Sequence, residues 1–206
     1  MGMAENNSDD TSTQIRQLVS AASAMKPQLK ERAAWAEANR RIPQETIDEF
    51  RKAGFLKILQ PKKYGGYELP PQVLMDVIYE VASACGSSGW TLAVLGLHQW
   101  AVQLLPDVAM EAVWGENPDV LLSSAYAPTC EVQQVDGGYL LSGKWPYSSG
   151  SDHAQWAIVG GLKPPANAGE PPVHCGFFVP RSQYQILDEW KTMGLAGTSS
   201  NTLQMD

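Results

Sequence analysis

The pattern of apolar residues changes near residue 118 of this 206-residue chain, and this change sets the fold class. Before that point, apolar residues recur at steps of three and four, the spacing of one face of an α-helix. After it, short β-type runs alternate with turns rich in glycine and proline, the pattern of antiparallel strands. We therefore predict an α+β protein, with a disordered tail over residues 1–12, an all-helical domain over 13–117 and an antiparallel β-barrel or sandwich over 118–206.

The helical half divides into five predicted helices, bounded by proline and glycine. The fourth contains "WTLAVLGLHQWAVQLL" and is apolar nearly all round. A helix of this kind is buried rather than lying on the surface. The predicted helices cover residues 14–39, 43–53, 71–84, 88–105 and 106–114.

The last residues of the chain, "GTSSNTLQMD", have the pattern of a strand interior. Because a domain does not usually end within a strand, we expect the β domain to be incomplete and a C-terminal part to be missing.

Composition and charge argue against several classes of function. The net charge of −7 does not fit a nucleic-acid-binding protein, which needs a basic face. No run reaches the roughly 18 apolar residues that cross a bilayer, and the N-terminal sequence lacks the apolar segment of a secretion signal. Three widely spaced cysteines and three histidines in unlike contexts predict no disulfide framework and no metal site. We therefore expect a cytoplasmic protein without membrane or nucleic-acid partners.

His98 is the first candidate functional residue. It lies in the middle of the apolar fourth helix, on roughly the same side as Trp90 and Val94. A buried polar group without a partner costs about 1–3 kcal/mol. His98 therefore either has a partner in the core or faces a cavity, where it could serve as a general acid or base.

Serine clusters at two strand ends are the other candidates. In "SSAYAP", Ser123 and Ser124 end an apolar run, and on this pattern alone their hydroxyls bond the local backbone. In "GKWPYSSGSDHAQW", serines and a glycine break a strand between two tryptophans. That segment is either a turn or a bend whose hydroxyl and amide groups meet a flat polar ligand. Its proline, Pro146, would cost a ladder hydrogen bond unless it lies at a sheet edge.

The order of these segments resembles the acyl-CoA dehydrogenase fold. That fold has N-terminal helices, a middle β barrel and a C-terminal four-helix bundle, with the flavin between the β domain and the helices. "IPQETIDEFRKAGFLKILQPKKYGG" resembles the second helix of the family and the loop after it, and "GLAGTSSNTL" resembles the "GLRGTGS" segment near the end of the β domain. The resemblance covers about residues 15–206 and implies that the C-terminal bundle is absent from this chain.

Four segments resemble one branch of that fold, the flavin-dependent monooxygenases that are oxygenase components of two-component phenol hydroxylases, such as 4-hydroxyphenylacetate 3-hydroxylase. The resemblance implies an enzyme of aromatic compound catabolism. A separate NAD(P)H-flavin reductase would supply FMNH2 or FADH2, and O2 would add at flavin C4a to give a hydroperoxide that hydroxylates a phenol ortho to its hydroxyl. The family also implies a homotetramer. The four segments are "GSSGW", "GLHQW", "SSAYAP" and "GKWPYSSGSDHAQW".

The same resemblance implies roles for seven residues. His98 and Ser149 would be catalytic, His98 by approaching the phenol and Ser149 by offering a hydrogen bond near flavin N5. Asp152 and His153 would only shape the bend. The substrate pocket would contain Trp90, His98 and Tyr147. The flavin would be bound by Trp90, Ser123, Ser124, Trp145 and Ser149.

Two alternatives stay open on the sequence. One is an acyl-CoA dehydrogenase or another flavin oxidoreductase of the same fold. The other is a truncated, non-catalytic homologue that binds no flavin or only assembles with partners.

Overall fold

The computed structural model describes residues 3–206 except residues 166 and 168, with side chains from residue 10 onward. Its first half is helical, as the apolar spacing predicts. No helix in this described part of the chain is long and apolar enough to cross a membrane. The helices are α1 (Met3–Ala24), α2 (Lys26–Asn39), α3 (Gln44–Lys52), α4 (Pro71–Ala82), α5 (Gly86–Val102) and α6 (Asp107–Trp114).

The N-terminal helix differs from the prediction at both of its ends. The helix predicted over residues 14–39 is two helices, α1 and α2, because Pro27 in the first turn of α2 has no N–H to continue the ladder of α1. Residues 3–12, predicted as a disordered tail, form the first turns of α1. Residues 1 and 2 of that predicted tail lie outside the described residues.

Helix α5 lies at the centre of the helical half, packed against α4. Gly96 permits a close approach of the two helices, since a Cβ there would lie 3.1 Å from the Leu74 side chain. Leu92 and Leu95 are fully buried, as the prediction of a buried helix requires. Trp90, however, is 51% exposed, so α5 also presents an apolar face that the helical half does not cover.

The second half forms two sheets with strand orders β1-β4-β5 and β2-β3-β7-β6. All pairings are antiparallel except that of β1 with β4, which is parallel and departs from the all-antiparallel prediction. A separate apolar cluster, which includes the fully buried Trp145 and Leu203, forms the core of this half. The strands are β1 (Leu122–Ala125), β2 (Cys130–Val135), β3 (Gly138–Ser148), β4 (Trp156–Lys163), β5 (Val173–Pro180), β6 (Gln185–Leu187) and β7 (Asn201–Met205).

Pro146 lies beyond the last β3 residue paired with β2, Gly143, and in a bulge on the β7 side. β3 pairs with β2 on one side and β7 on the other, and its register with β7 shifts between Trp145 and Ser148. A bulge leaves residues out of the ladder, so the missing N–H of proline costs no hydrogen bond there. Tyr147, the next residue, has a φ of 69°, in the left-handed region that non-glycine residues seldom occupy.

Gly160 in β4 lets the segment after β1 lie directly against the sheet. A Cβ at this position would lie 1.8 Å from the carbonyl oxygen of Tyr126. The Gly160 carbonyl also accepts a 2.7 Å hydrogen bond from Trp145 Nε1 in the core. Gly160 therefore joins the β core to the segment that carries Tyr126.

We expect Gly160→Ala to destabilise the chain by about 1–3 kcal/mol or more, because the added methyl group meets backbone rather than a movable side chain. Gly138→Ala is the matched control, since a Cβ at Gly138 meets nothing within 4 Å and its cost should stay within about 0.5 kcal/mol. Urea unfolding measures both. Equal losses in the two variants would contradict the close approach at Gly160.

Candidate active site

A cleft with a volume of 390 Å³ lies between the helical half and the β half. Most of its lining is apolar and comes from α4, α5, the end of β1 and the bulge of β3. This size and apolar character are usual for a small-molecule site with a few orienting polar groups. Of the seven residues predicted for the site, five line the cleft, namely Trp90, His98, Ser124, Tyr147 and Ser149.

A hydrogen bond from α5 to the end of β3 closes one side of the cleft. Trp90 Nε1 donates to Ser149 Oγ at 2.9 Å. The Ser149 hydroxyl is buried, and its oxygen also lies 2.7 Å from Ser200 Oγ. Ser149 therefore faces the helical half, as expected for a cofactor-side hydroxyl, and not the outer surface of the β domain.

His98 combines a satisfied nitrogen with one that is free. Its Nδ1 lies 2.8 Å from the carbonyl oxygen of Leu122, and because a carbonyl can only accept, Nδ1 must carry the hydrogen. Nε2 has no hydrogen-bond partner among the described residues and keeps its lone pair. Burial lowers the pKa of His98, with the Leu122 hydrogen bond opposing the shift, so the ring is neutral at neutral pH. The ring of Tyr126 stands edge-on to it at 6.2 Å.

Ser123 and Trp145, both predicted to bind the cofactor, lie outside the cleft. Successive side chains of a strand point to opposite faces, so Ser124 lines the cleft while Ser123 is fully buried behind it, 3.1 Å from Ser148 Oγ. Trp145 is fully buried in the β core, where its indole bonds Gly160. These two side chains support the wall of the cleft but do not form it.

Asp152 and His153 hold the bend after β3 and do not line the cleft. The Asp152 carboxylate accepts a hydrogen bond from Ser199 Oγ. His153 Nδ1 lies 3.2 Å from Gln44 Oε1 of α3. The bend is thus tied both to the segment before β7 and to the helical half.

Glu37 in α2 fastens the segment before β7 to the helical half, and sequence reasoning missed it. Its carboxylate accepts hydrogen bonds from Ser87 Oγ at 2.8 Å and from the backbone N–H of Ala196 at 3.1 Å. Glu37 and Ala196 are 159 positions apart, so no local pattern could reveal the contact. Ser200 was also missed, although the hydroxyl-rich "GTSS" segment was a visible signal.

The cleft fits a flat heteroaromatic ring better than a metal ion. Trp90, Val94 and Tyr147 offer apolar or aromatic surface, and the polar groups are few and on its walls. Within the described part of the chain, no group of three or more His, Cys, Asp or Glu side chains could hold a metal ion.

Comparison with known proteins agrees with the fold. Residues 9–107 match the family model of the acyl-CoA dehydrogenase N-terminal domain. The chain has the acyl-CoA dehydrogenase fold. The crystal structure of 3-HSA hydroxylase from Rhodococcus sp. RHA1 matches it with a TM-score of 0.87 and 41% identity, over 92% of this chain and 49% of that one.

Two curated relatives of the chain are named as oxygenase parts of flavin-dependent enzymes. Oxygenase subunit HsaA of a flavin-dependent monooxygenase from Rhodococcus jostii (strain RHA1) is 43% identical over 183 residues, 89% of this chain and 47% of the relative. The oxygenase component of an FADH(2)-dependent resorcinol hydroxylase from Rhizobium sp. (strain MTP-10005) is 41% identical over 174 residues, 84% and 42% of the two chains. The chain therefore spans about half the length of the curated relatives it matches.

We expect NMR of the histidine-labelled chain to find His98 neutral at pH 7, with the hydrogen on Nδ1 and a pKa below the ordinary value of about 6.5. Between those two pKa values the unfolded chain binds more protons than the folded one. The neutral burial of His98 therefore favours the folded state above about pH 6.5, and this contribution is lost as the pH falls through the lowered pKa.

The variant His98→Gln identifies the resonance and serves as the control. It should also flatten the fall in unfolding free energy that occurs as the pH drops from about 6.5 toward the lowered pKa of His98. A His98 resonance that titrates at or above the ordinary value contradicts the assignment.

Proposed function

We propose that this chain acts in the oxygenase component of a two-component system that hydroxylates a phenol ortho to its hydroxyl, using reduced flavin and O2. The observation that carries the proposal is that one apolar cleft brings together a neutral histidine with a free nitrogen, His98, and a buried hydroxyl, Ser149. The relatives named as flavin-dependent oxygenases support the same reaction class.

The residues of the cleft fit a reduced flavin. When bound, FMNH2 or FADH2 would supply the electrons that activate O2. Trp90 and Tyr147 would contact the ring, and the hydroxyls of Ser124 and Ser149 would meet its polar atoms. The apolar lining keeps bulk water away from the reacting atoms and strengthens these polar contacts.

In this proposal His98 takes the proton of the phenol. Its Nε2 lone pair faces no competing donor among the described residues, and the Leu122 carbonyl fixes the tautomer that leaves it free. Removing the phenol proton raises the electron density at the ortho carbon, where the oxygen is added. The lowered pKa of His98 keeps the ring in the proton-accepting form at neutral pH.

Three wider assignments rest on the same proposal. A separate NAD(P)H-flavin reductase would supply the reduced flavin, since the relatives are named as an oxygenase subunit and an oxygenase component. The fold family supports a homotetramer. Cys85, Cys130 and Cys175 are free thiols, which supports a reducing cytoplasm as the location.

The second candidate function is an acyl-CoA dehydrogenase, favoured by the match of residues 9–107 to the N-terminal domain of that family. One assay separates the two. The chain is supplied with reduced FMN or FAD, O2 and a panel of phenols, and we expect catechols. Acyl-CoA-dependent reduction of a dye without catechol would support the dehydrogenase. Failure to take up reduced flavin would support a non-catalytic homologue.

We expect His98→Asn to lower the rate of hydroxylation at neutral pH by on the order of 10²-fold, the usual contribution of a general base. The defect should shrink as the pH approaches about 10, where a phenol loses its proton without help. Binding of reduced flavin to the variant, measured by anaerobic titration, serves as the control and should be unchanged. A variant with the wild-type rate and pH profile would rule out His98 as the base.

A further inference from the structure

Three buried hydroxyls lie in a row behind the cleft. Ser149 Oγ is 2.7 Å from Ser200 Oγ, which is 2.7 Å from Thr198 Oγ1. The row ends at the carbonyl oxygen of Leu195, 2.9 Å from Thr198 Oγ1. At the cleft end, Trp90 Nε1 donates to Ser149. None of the three hydroxyl residues is more than 6% exposed, so water does not compete for these bonds.

The chemistry of the two ends fixes the direction of every bond in the row. A hydroxyl has one hydrogen, and a carbonyl can only accept. The Thr198 hydroxyl therefore donates its hydrogen to the carbonyl oxygen of Leu195. Ser200 must then donate to Thr198, and Ser149 must donate to Ser200. The Trp90 indole can only donate, so Ser149 accepts from it. The Ser149 hydroxyl therefore has one lone pair left, with which it can accept a hydrogen bond from a ligand.

We propose that Thr198 and Ser200 are positioning residues that keep the Ser149 hydrogen turned away from the cleft, so that Ser149 meets a ligand only as an acceptor. This inference rests on the proposed function, in which the ligand is a flavin. Reduced flavin carries a hydrogen on N5, whereas oxidised flavin has an unprotonated N5 that can only accept. Ser149 is therefore complementary to the reduced form and mismatched to the oxidised one.

The acceptor at the far end of the row, the Leu195 carbonyl, is fixed in position by other contacts. The Leu195 carbonyl also accepts from Trp190 Nε1 at 3.1 Å and from the backbone N–H of Thr198 at 3.2 Å. Leu195 itself has a φ of 56°, and such a left-handed residue persists only where the surroundings determine it. Next to it, Glu37 binds the N–H of Ala196 and ties this turn to α2.

The deciding variant is Thr198→Val, which keeps the shape of the side chain and removes its oxygen. Ser200 can then donate to Ser149, and the Ser149 hydrogen is free to enter the cleft. The ratio of the Kd for oxidised flavin to the Kd for reduced flavin should fall about fivefold, the worth of one hydrogen bond. Thr198→Ser should restore the wild-type ratio. Thr202→Val is the matched control at a buried threonine outside the row and should leave it unchanged.

A second measurement tests the direction of the hydrogen bonds in the hydroxyl row in the absence of flavin. In the flavin-free chain, the indole N–H resonance of Trp90, assigned with Trp90→Phe, should move upfield in Thr198→Val. Ser149 then accepts from Ser200 and no longer donates to it, so its oxygen is a weaker acceptor for the indole N–H. It should not move in Thr198→Ser or Thr202→Val. If the affinity ratio and the indole resonance are both unchanged in Thr198→Val, the inference is wrong.

The two proposals fail in different ways. A wild-type chain that binds neither form of the flavin contradicts the proposed function, while the indole resonance still decides the direction of the hydroxyl row. A wild-type chain that binds both forms equally tightly contradicts the inference and leaves the proposed function standing.

Discussion

The polar side chains of α5 hold the helical half and the β half in one register. His98 Nδ1 donates to the carbonyl of Leu122, and Gln99 Nε2 donates to that of Val120 at 3.1 Å. Gln99 Oε1 in turn accepts from Trp114 Nε1 at 3.2 Å. Each of these groups is buried, and leaving one unpaired would cost about 1–3 kcal/mol. These bonds fix the rotation of the otherwise apolar helix α5 and its position along its own axis relative to the segment that leads into β1. The cleft lies along this contact.

Strand β1, which contacts α5 on one side, is also held by hydrogen bonds on its other side. Gln155, just before β4, bonds Leu121 twice, through its side-chain oxygen at 3.0 Å and its backbone N–H at 2.9 Å. β1 is only four residues long, yet it is held between α5 and β4. At the opposite wall the β3 bulge turns Ser149 toward Trp90. Because direct hydrogen bonds set both walls, the polar atoms need little rearrangement when a ligand binds, which is the condition for preorganised electrostatic catalysis.

The sequence predicted the elements better than it predicted which side chains face the cleft. Apolar spacing located α5 and the β runs, although Pro27 was a visible break between α1 and α2. For His98 the sequence offered a choice between a core partner and a cavity, and the structure has both, one for each ring nitrogen. Sequence spacing did not show that Ser123 and Trp145 lie outside the cleft, because the face of a residue depends on strand register and on the bulge.

The polarity of the cleft distinguishes the two candidate chemistries. The free nitrogen of His98 accepts, and the proposed direction of the hydroxyl row makes Ser149 an acceptor as well. A pair of acceptors suits ligands that bring hydrogens, such as the O–H of a phenol and the N–H of a reduced flavin. The thioester carbonyl of an acyl-CoA can only accept hydrogen bonds. It would leave the acceptors of both His98 and Ser149 without a donor. Polarity, more than shape, therefore favours phenol hydroxylation over acyl-CoA dehydrogenation in this cleft.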